Sequence, residues 1–281
     1  MPLTIRLLTE DDLDVADAIL MPAYGVPRSR KRELRRYLAL QPDGWLLALL
    51  DGEPAGLGGA IDYGPFAYIG LMAVHPALQH RGIATAILER LLAWIDARGC
   101  PVALLDASPA GAPLYEKFRF VDQDKALLFH LDDCALNPRL SDQVAPLRAE
   151  ELPALAAFDA PIFGANRAAV LAAYLADYPD RAFVARDAGG QISGYLFAQA
   201  HAIGPWVAHD PDVAEMLLAA ALPLQFAEAP RVIIPGANSS AAALLLRYGF
   251  SPQRALRHMR RGGDLPRQRA LLYGQASFAI G

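Results

Sequence analysis

The sequence predicts a mixed α/β protein built as two consecutive copies of one plan of strands and helices, and three observations carry that prediction. Apolar runs of strand length alternate with longer stretches of helical periodicity along all 281 residues. The pattern repeats: Leu8-Thr9-Glu10-Asp11-Asp12-Leu13 is echoed by Leu147-Arg148-Ala149-Glu150-Glu151-Leu152, residues 69–75 by 203–209, and 114–120 by 244–250. The spacing between echoes shrinks along the chain, as small loop deletions in the second copy would leave it. The length itself suits two domains of ordinary size.

Taken in order, each copy opens on a strand-like stretch followed by acids, Glu10, Asp11 and Asp12 or Glu150 and Glu151, where the positive end of a helix dipole favours them. Residues 28–40 form a helical segment with Leu34, Tyr37, Leu38 and Leu40 at core-facing positions. Its cations, Arg28, Arg30, Lys31, Arg32, Arg35 and Arg36, read first as a solvated face and second as a patch for an acidic ligand. Strands are expected at 44–50, 55–61, 67–74 and 102–106, and again at 182–186, 192–200, 203–207 and 231–234. Each copy therefore reads as an α/β unit with helices early, then strands, then a closing strand, helix and strand. Turn residues Asn137-Pro138 and Ser141-Asp142 place the boundary within 134–142, giving units 1–136 and 137–281. Residues 168–175 and 216–222 are apolar helices suited to packing on the first unit or on a second copy, which leaves a homodimer open. The apolar tail, 271–280, is expected to add a strand that bridges the units.

Composition narrows the classes. The chain has 26 basic and 30 acidic groups, a formal charge of −4, which argues against nucleic acid as a partner. No apolar run reaches the roughly 18 residues that cross a membrane, and the start has no signal-peptide core, so a soluble cytoplasmic chain is expected. Cys100 and Cys134 lack metal-ligand spacing and read as reduced thiols, and no metal is expected.

The stretch from Leu71 to Thr85 carries the chemistry. An apolar strand ends at His75-Pro76, and Gln79-His80-Arg81-Gly82-Ile83-Ala84-Thr85 then opens a helix whose Ile83, Ile87, Leu91 and Trp94 form one buried stripe. Such an entry aims free backbone N–H groups at one spot, where the macrodipole also favours negative charge. Gly82 lets a ligand approach the backbone closely, and Ala84 keeps the wall low. This is a cradle for a pyrophosphate. The second copy reads His209-Asp210-Pro211-Asp212-Val213-Ala214-Glu215 at the same place, and its acids would repel such a ligand.

The pattern Gln79-x-x-Gly82-x-Ala84, followed at the proper distance by Leu114-Tyr115-Glu116-Lys117-Phe118-Arg119-Phe120, resembles the two signatures of the GCN5-related N-acetyltransferase (GNAT) superfamily. The likeness spans roughly residues 4–262 and implies two tandem GNAT-like domains, each a central, mostly antiparallel sheet flanked by helices. It extends to a tandem group with a degenerate second half through Phe163-Gly164-Ala165-Asn166-Arg167, Ile203-Gly204-Pro205-Trp206, Pro235-Gly236-Ala237-Asn238 and Gly249-Phe250.

The resemblance implies that Met72, Ala73 and Val74 offer backbone groups to the pantetheine arm of acetyl-CoA, while Gln79, His80, Arg81, Gly82, Ile83, Ala84 and Thr85 hold its pyrophosphate. Tyr115 is implied as the acid that protonates the departing thiolate, a task suited to a phenol of pKa about 10. The second copy has Leu245 there, which cannot donate. Arg119 replaces the family's usual glycine, so a reshaped turn is expected, and Ser108 stands where many relatives carry asparagine. Asp62, His75 and Asp106 are candidates for the general base, each with a structural alternative. The expected activity is acetyl transfer from acetyl-CoA to a primary amine of a small molecule by direct attack. A non-catalytic acyl-CoA sensor and a protein-lysine acetyltransferase are the alternatives. The second unit is expected to close the acceptor pocket.

Overall fold

The computed structural model describes residues 2–26, 28–133 and 140–281. The expected unit boundary at 136, with Cys134, Asn137 and Pro138, lies outside the described residues.

The first half runs β1 (Leu3–Leu7), α1 (Leu13–Tyr24), α2 (Lys31–Leu40), β2 (Trp45–Leu50), β3 (Glu53–Asp62), β4 (Ala67–Val74), α3 (Ile83–Ala97), β5 (Val102–Ala107), α4 (Ala112–Lys117) and β6 (Val121–Leu131). The second half repeats the order as β7 (Val144–Pro146), α5 (Leu152–Phe163), α6 (Ala168–Asp177), β8 (Ala182–Arg186), β9 (Ile192–Ala198), β10 (Ala202–Ala208), α7 (Pro211–Ala221), β11 (Arg231–Pro235), α8 (Ser239–Arg247) and β12 (Phe250–Gly262). A short strand, β13 (Leu272–Gly274), closes the list. The acids before α1 cap as expected: Asp12 accepts from the Thr9 amide at 2.9 Å and is gripped by Arg6 at 2.6 Å.

The strands join one sheet in the order β1-β2-β3-β4-β5-β12-β6-β11-β10-β9-β8-β7, with β13 beside β10. Among the described residues only β4 with β5 and β10 with β11 pair in parallel. Two separate sheets in series are the simple expectation from the repeat, but the halves exchange their closing strands. Strand β12 of the second half lies between β5 and β6, and β6 in turn pairs with β11. The two long strands run antiparallel from Phe250 beside Leu131 to Arg260 beside Val121. Each half thereby covers the edge that the other would expose.

Helices α1, α2, α5 and α6 share one face of the sheet over a core that mixes both halves, with Leu20, Tyr37, Trp45, Phe163, Tyr174 and Tyr195 all buried. On the opposite face α3 packs over the first half, and α7 and α8 pack over the second. The apolar helices α6 and α7 bury Leu171, Tyr174, Leu217 and Leu218 inside this chain. The cations of α2 and the loop before it are largely paired: Arg28 with Glu228 at 3.4 Å, Arg30 with Glu33 at 2.9 Å, Lys31 with Asp14, and Arg32 and Arg36 with Asp177. Arg36 is itself buried, its guanidinium 4.1 Å from the Tyr174 ring centroid, and so ties α2 to α6. No helix among the described residues is long and apolar enough to cross a membrane.

After β13 the tail does bridge the halves. Tyr63 Oη donates to the Ile280 carbonyl at 2.8 Å, and the Tyr37 and Ser277 hydroxyls lie 2.8 Å apart.

Candidate active site

Strands β4 and β5 stay paired from Ala67 beside Ala103 to Ile69 beside Leu105, and then part. The cause lies in β4. Its register with β3 slips between Gly70 and Ala73, and Leu71 takes a left-handed φ of 52°, so an extra residue bends the strand away from β5. Tyr24, on α1, braces the bend by donating to the Met72 carbonyl at 3.2 Å.

At the far end of β4, His75 Nδ1 accepts from the Ala77 amide at 3.4 Å and caps a short turn. His80 and Gly82 both adopt positive φ, 62° and 80°, and swing the chain into α3. Among the described residues no side chain caps that helix. A Cβ on Gly82 would meet nothing within 4 Å, so the space before the free amides of the first turn is open.

One cavity of about 790 Å³ begins there and follows the split between the strands. Met72, Ala73, Val74, Gln79, His80, Gly82, Ile83, Ala84 and Thr85 line it, as does Tyr115 of α4. Arg81 is exposed and does not. Ser108 Oγ accepts from the Gly111 amide at 3.1 Å and so steadies the start of α4. The Tyr115 side chain is almost wholly buried, its ring 5.8 Å from that of Phe120, and burial pushes the phenol well above its ordinary value, with Tyr24 adding to the shift. It is therefore held protonated.

The turn after α4 is not reshaped. Arg119 takes φ 65°, close to the 84° of its counterpart Gly249, and the amides of Arg119 and Phe120 still close on the Glu116 and Tyr115 carbonyls. The hydrogen bonds of the helix end hold an arginine in the left-handed region that glycine enters freely.

Of the three candidate bases, Asp62 is a half-buried carboxylate at the end of β3 that takes the Gly64 amide at 2.7 Å and Arg98 at 2.8 Å, and it lies off the cavity. His75 is engaged in its cap and also lies off it. Asp106, at the end of β5, is on the cavity wall. Its side chain is buried and accepts from Tyr68 Oη at 2.8 Å, from His258 Nδ1–H at 2.8 Å and from Gln275 Nε2 at 3.3 Å. Burial lowers the His258 imidazole from its ordinary value, with Asp106 opposing, so the ring is neutral and the donating tautomer is set by the carboxylate. Among the described residues no cluster of His, Cys, Asp and Glu is arranged to hold a metal ion.

Known families match both halves of the chain. The profile of the Acetyltransferase (GNAT) family matches residues 13–120, and that of the Acetyltransferase (GNAT) domain matches residues 155–274. The chain belongs to the GNAT acetyltransferase family. It is an acyltransferase with tandem GNAT domains. An acetyltransferase of Sodalis glossinidius is 36% identical over 134 residues, which are 44% of this chain and 91% of that one. A crystal structure from Pyrococcus horikoshii, assigned as an acetyltransferase, is 33% identical with a TM-score of 0.88, covering 99% of this chain and 96% of its own. A tandem GNAT protein from the clavulanic acid biosynthesis pathway shares the fold, with a TM-score of 0.63 at 15% identity over 94% of this chain and 99% of its own.

GNAT enzymes generally use acetyl-CoA, and the front half fits that group: an uncapped helix start, an open glycine and a parted pair of strands meet in one cavity. The rear GNAT domain has closed each of these features. Asp210 accepts from the Val213 amide at 2.8 Å and Pro211 occupies the first turn, so α7 has one first-turn amide capped and another removed, with carboxylates in place of an open anion site. Strands β10 and β11 also part, after Ile203 beside Val232, but β13 lies in the gap, pairing with β10 while the Gln275 amide donates to the Ile233 carbonyl at 2.7 Å. Leu245, in place of the tyrosine, is fully buried.

Several residues of the cavity have no signal in the front-half sequence. Gln275, Arg231 and Arg254 all line it, and His258 stands behind Asp106, yet each comes from the rear half. Only the strand exchange brings them there.

Proposed function

We propose that the front domain binds acetyl-CoA and transfers its acetyl group to a primary amine of a small molecule by direct attack. One observation carries this reading: the cavity runs unbroken from the open N-terminus of α3, past Tyr115 and Asp106, to a wall supplied by the rear half. The Met72, Ala73 and Val74 backbone would pair with the pantetheine arm as a strand partner does, and the amides around Gly82, Ile83, Ala84 and Thr85 would hold the pyrophosphate. Arg81, at the rim, adds charge to the entrance. When bound, acetyl-CoA supplies an acyl group already activated as a thioester.

The remaining steps fall to this chain's own groups. Gln275 Oε1 is buried and has no donor among the described residues, so it accepts an N–H of the incoming amine. Asp106, oriented by Tyr68 and His258, takes the proton that the nitrogen sheds as the C–N bond forms. Backbone amides of the bent part of β4 support the oxyanion. Tyr115 donates its proton to the sulfur as the C–S bond breaks. Enclosure by residues 275–279 favours a small acceptor over a lysine on a protein surface.

The test is thiol release from acetyl-CoA against a panel of primary amines, with calorimetry of coenzyme A alongside. Tyr115→Phe is expected to keep the binding heat and lose about a hundredfold in kcat. No heat with coenzyme A would refute the reading, and heat without turnover of any amine would replace it with a sensor.

A further inference from the structure

We propose that the acceptor carries an anionic group, a carboxylate or a phosphate, at the end remote from its reacting nitrogen, and that Arg231 and Arg254 hold it. The inference rests on the acyl-transfer reading above and names the acceptor's class. Both arginines line the cavity, and both come from the rear half, one opening β11 and the other on β12. Leu128 of β6 pairs with Ile233 on one side and with Arg254 on the other. Arg231 is two residues from Ile233 and Leu256 two from Arg254, so all of these share one face of the sheet. The floor is apolar in the middle and cationic at its end.

The two guanidinium groups have little counter-charge: Glu33, on the same cavity, acts on Arg231 from a distance but is already engaged by Arg30. Arg28 has Glu228 and Arg30 has Glu33, but among the described residues no carboxylate pairs with Arg231 or Arg254. Arg254 stands over the Phe278 ring, 5.2 Å from its centroid. Burial, with repulsion from Arg28 and against the pull of Glu33, pushes Arg231 down to about 10, and burial with repulsion from Arg30, opposed by Tyr24, lowers Arg254. Cations depressed in this way gain from an anion brought between them.

The geometry also sets the spacing. Arg254 lies four residues along β12 from His258, which backs Asp106, so the two backbone positions are about 13 Å apart at about 3.3 Å per residue. An arginine side chain spans part of that distance, and an apolar linker over Leu256 and Ile233 spans the rest. An α-amino acid is too short to engage both ends.

The experiment compares ε-aminocaproate, aminohexyl phosphate, n-hexylamine and glycine as acceptors in thiol release from acetyl-CoA by the full chain at low salt. The kcat/KM of at least one long anionic amine should exceed that of n-hexylamine by about tenfold or more, and that of glycine likewise. Which anionic amine leads separates carboxylate from phosphate. Added salt should shrink the advantage in the wild-type chain, and Arg231→Gln with Arg254→Gln should collapse the ratio towards one. An equal or better rate with n-hexylamine in the wild-type chain overturns the proposal.

Should no amine turn over, the acyl-transfer reading fails separately, and calorimetry with adipate reads the anion site by itself. Heat in the wild-type chain that the double variant loses supports the site, and no heat in the wild-type chain overturns it.

Discussion

Arg119 is the residue where sequence and backbone disagree most openly. Its left-handed φ of 65° costs a non-glycine residue about 1–2 kcal/mol, part of which a glycine gives back through its freer unfolded chain. Arg119→Gly is therefore expected to raise stability by up to about 1 kcal/mol, read as a shift in the denaturant midpoint. His258 makes a second prediction. Its folded pKa is lowered, so the unfolded chain binds the proton more readily; the contribution is complete above the ordinary value of about 6.5 and is lost as pH falls below it. His258→Asn should flatten the fall in unfolding midpoint between about pH 7 and pH 5. Tyr115 and Gly82 are legible in the sequence because their roles depend on neighbours within one turn or one loop. His258 and Gln275 are not, since each meets Asp106 across more than 100 residues of chain, and nothing local marks a histidine in a strand as the partner of a distant carboxylate.

The two helix starts are the clearest comparison between elements. α3 leaves its first amides free, whereas α7 satisfies one with Asp210 and removes another with Pro211. A carboxylate in the first turn favours a helix but repels a diphosphate. Ala84→Asp should accordingly leave the unfolding midpoint unchanged or slightly raised while weakening coenzyme A at least about tenfold by calorimetry. The strands at 45–50, 67–74, 102–107, 182–186 and 231–235 were legible almost to the residue, because short apolar runs bounded by turns admit few alternatives. The basic stretch before and within α2 shows the limit of pattern alone. Charge spacing reads Arg36 as solvated, yet Asp177 and the Tyr174 ring bury it.

For the whole molecule the exchanged strands matter most. A repeat in sequence implies two similar units, but it carries no information on which half's closing strand completes which sheet, since β6 and β12 are equivalent in pattern and each satisfies either edge. The interleaving makes the halves interdependent. Residues 1–142 expressed alone lose β12 from between β5 and β6, together with His258 and Gln275. The fragment should show no cooperative unfolding transition and no heat with coenzyme A, and co-expression with 143–281 should restore both. Recovery of a folded, binding-competent fragment would show that the exchange is dispensable.

Strand β13 in the gap of the rear domain is held there by the same covalent chain. Its effective concentration does not fall on dilution, so a free molecule entering that gap must first displace a tethered rival. If the front domain binds acetyl-CoA as proposed, the duplicated architecture is expected to offer one saturable donor site per polypeptide, with a titration curve of unit stoichiometry and no second, weaker phase.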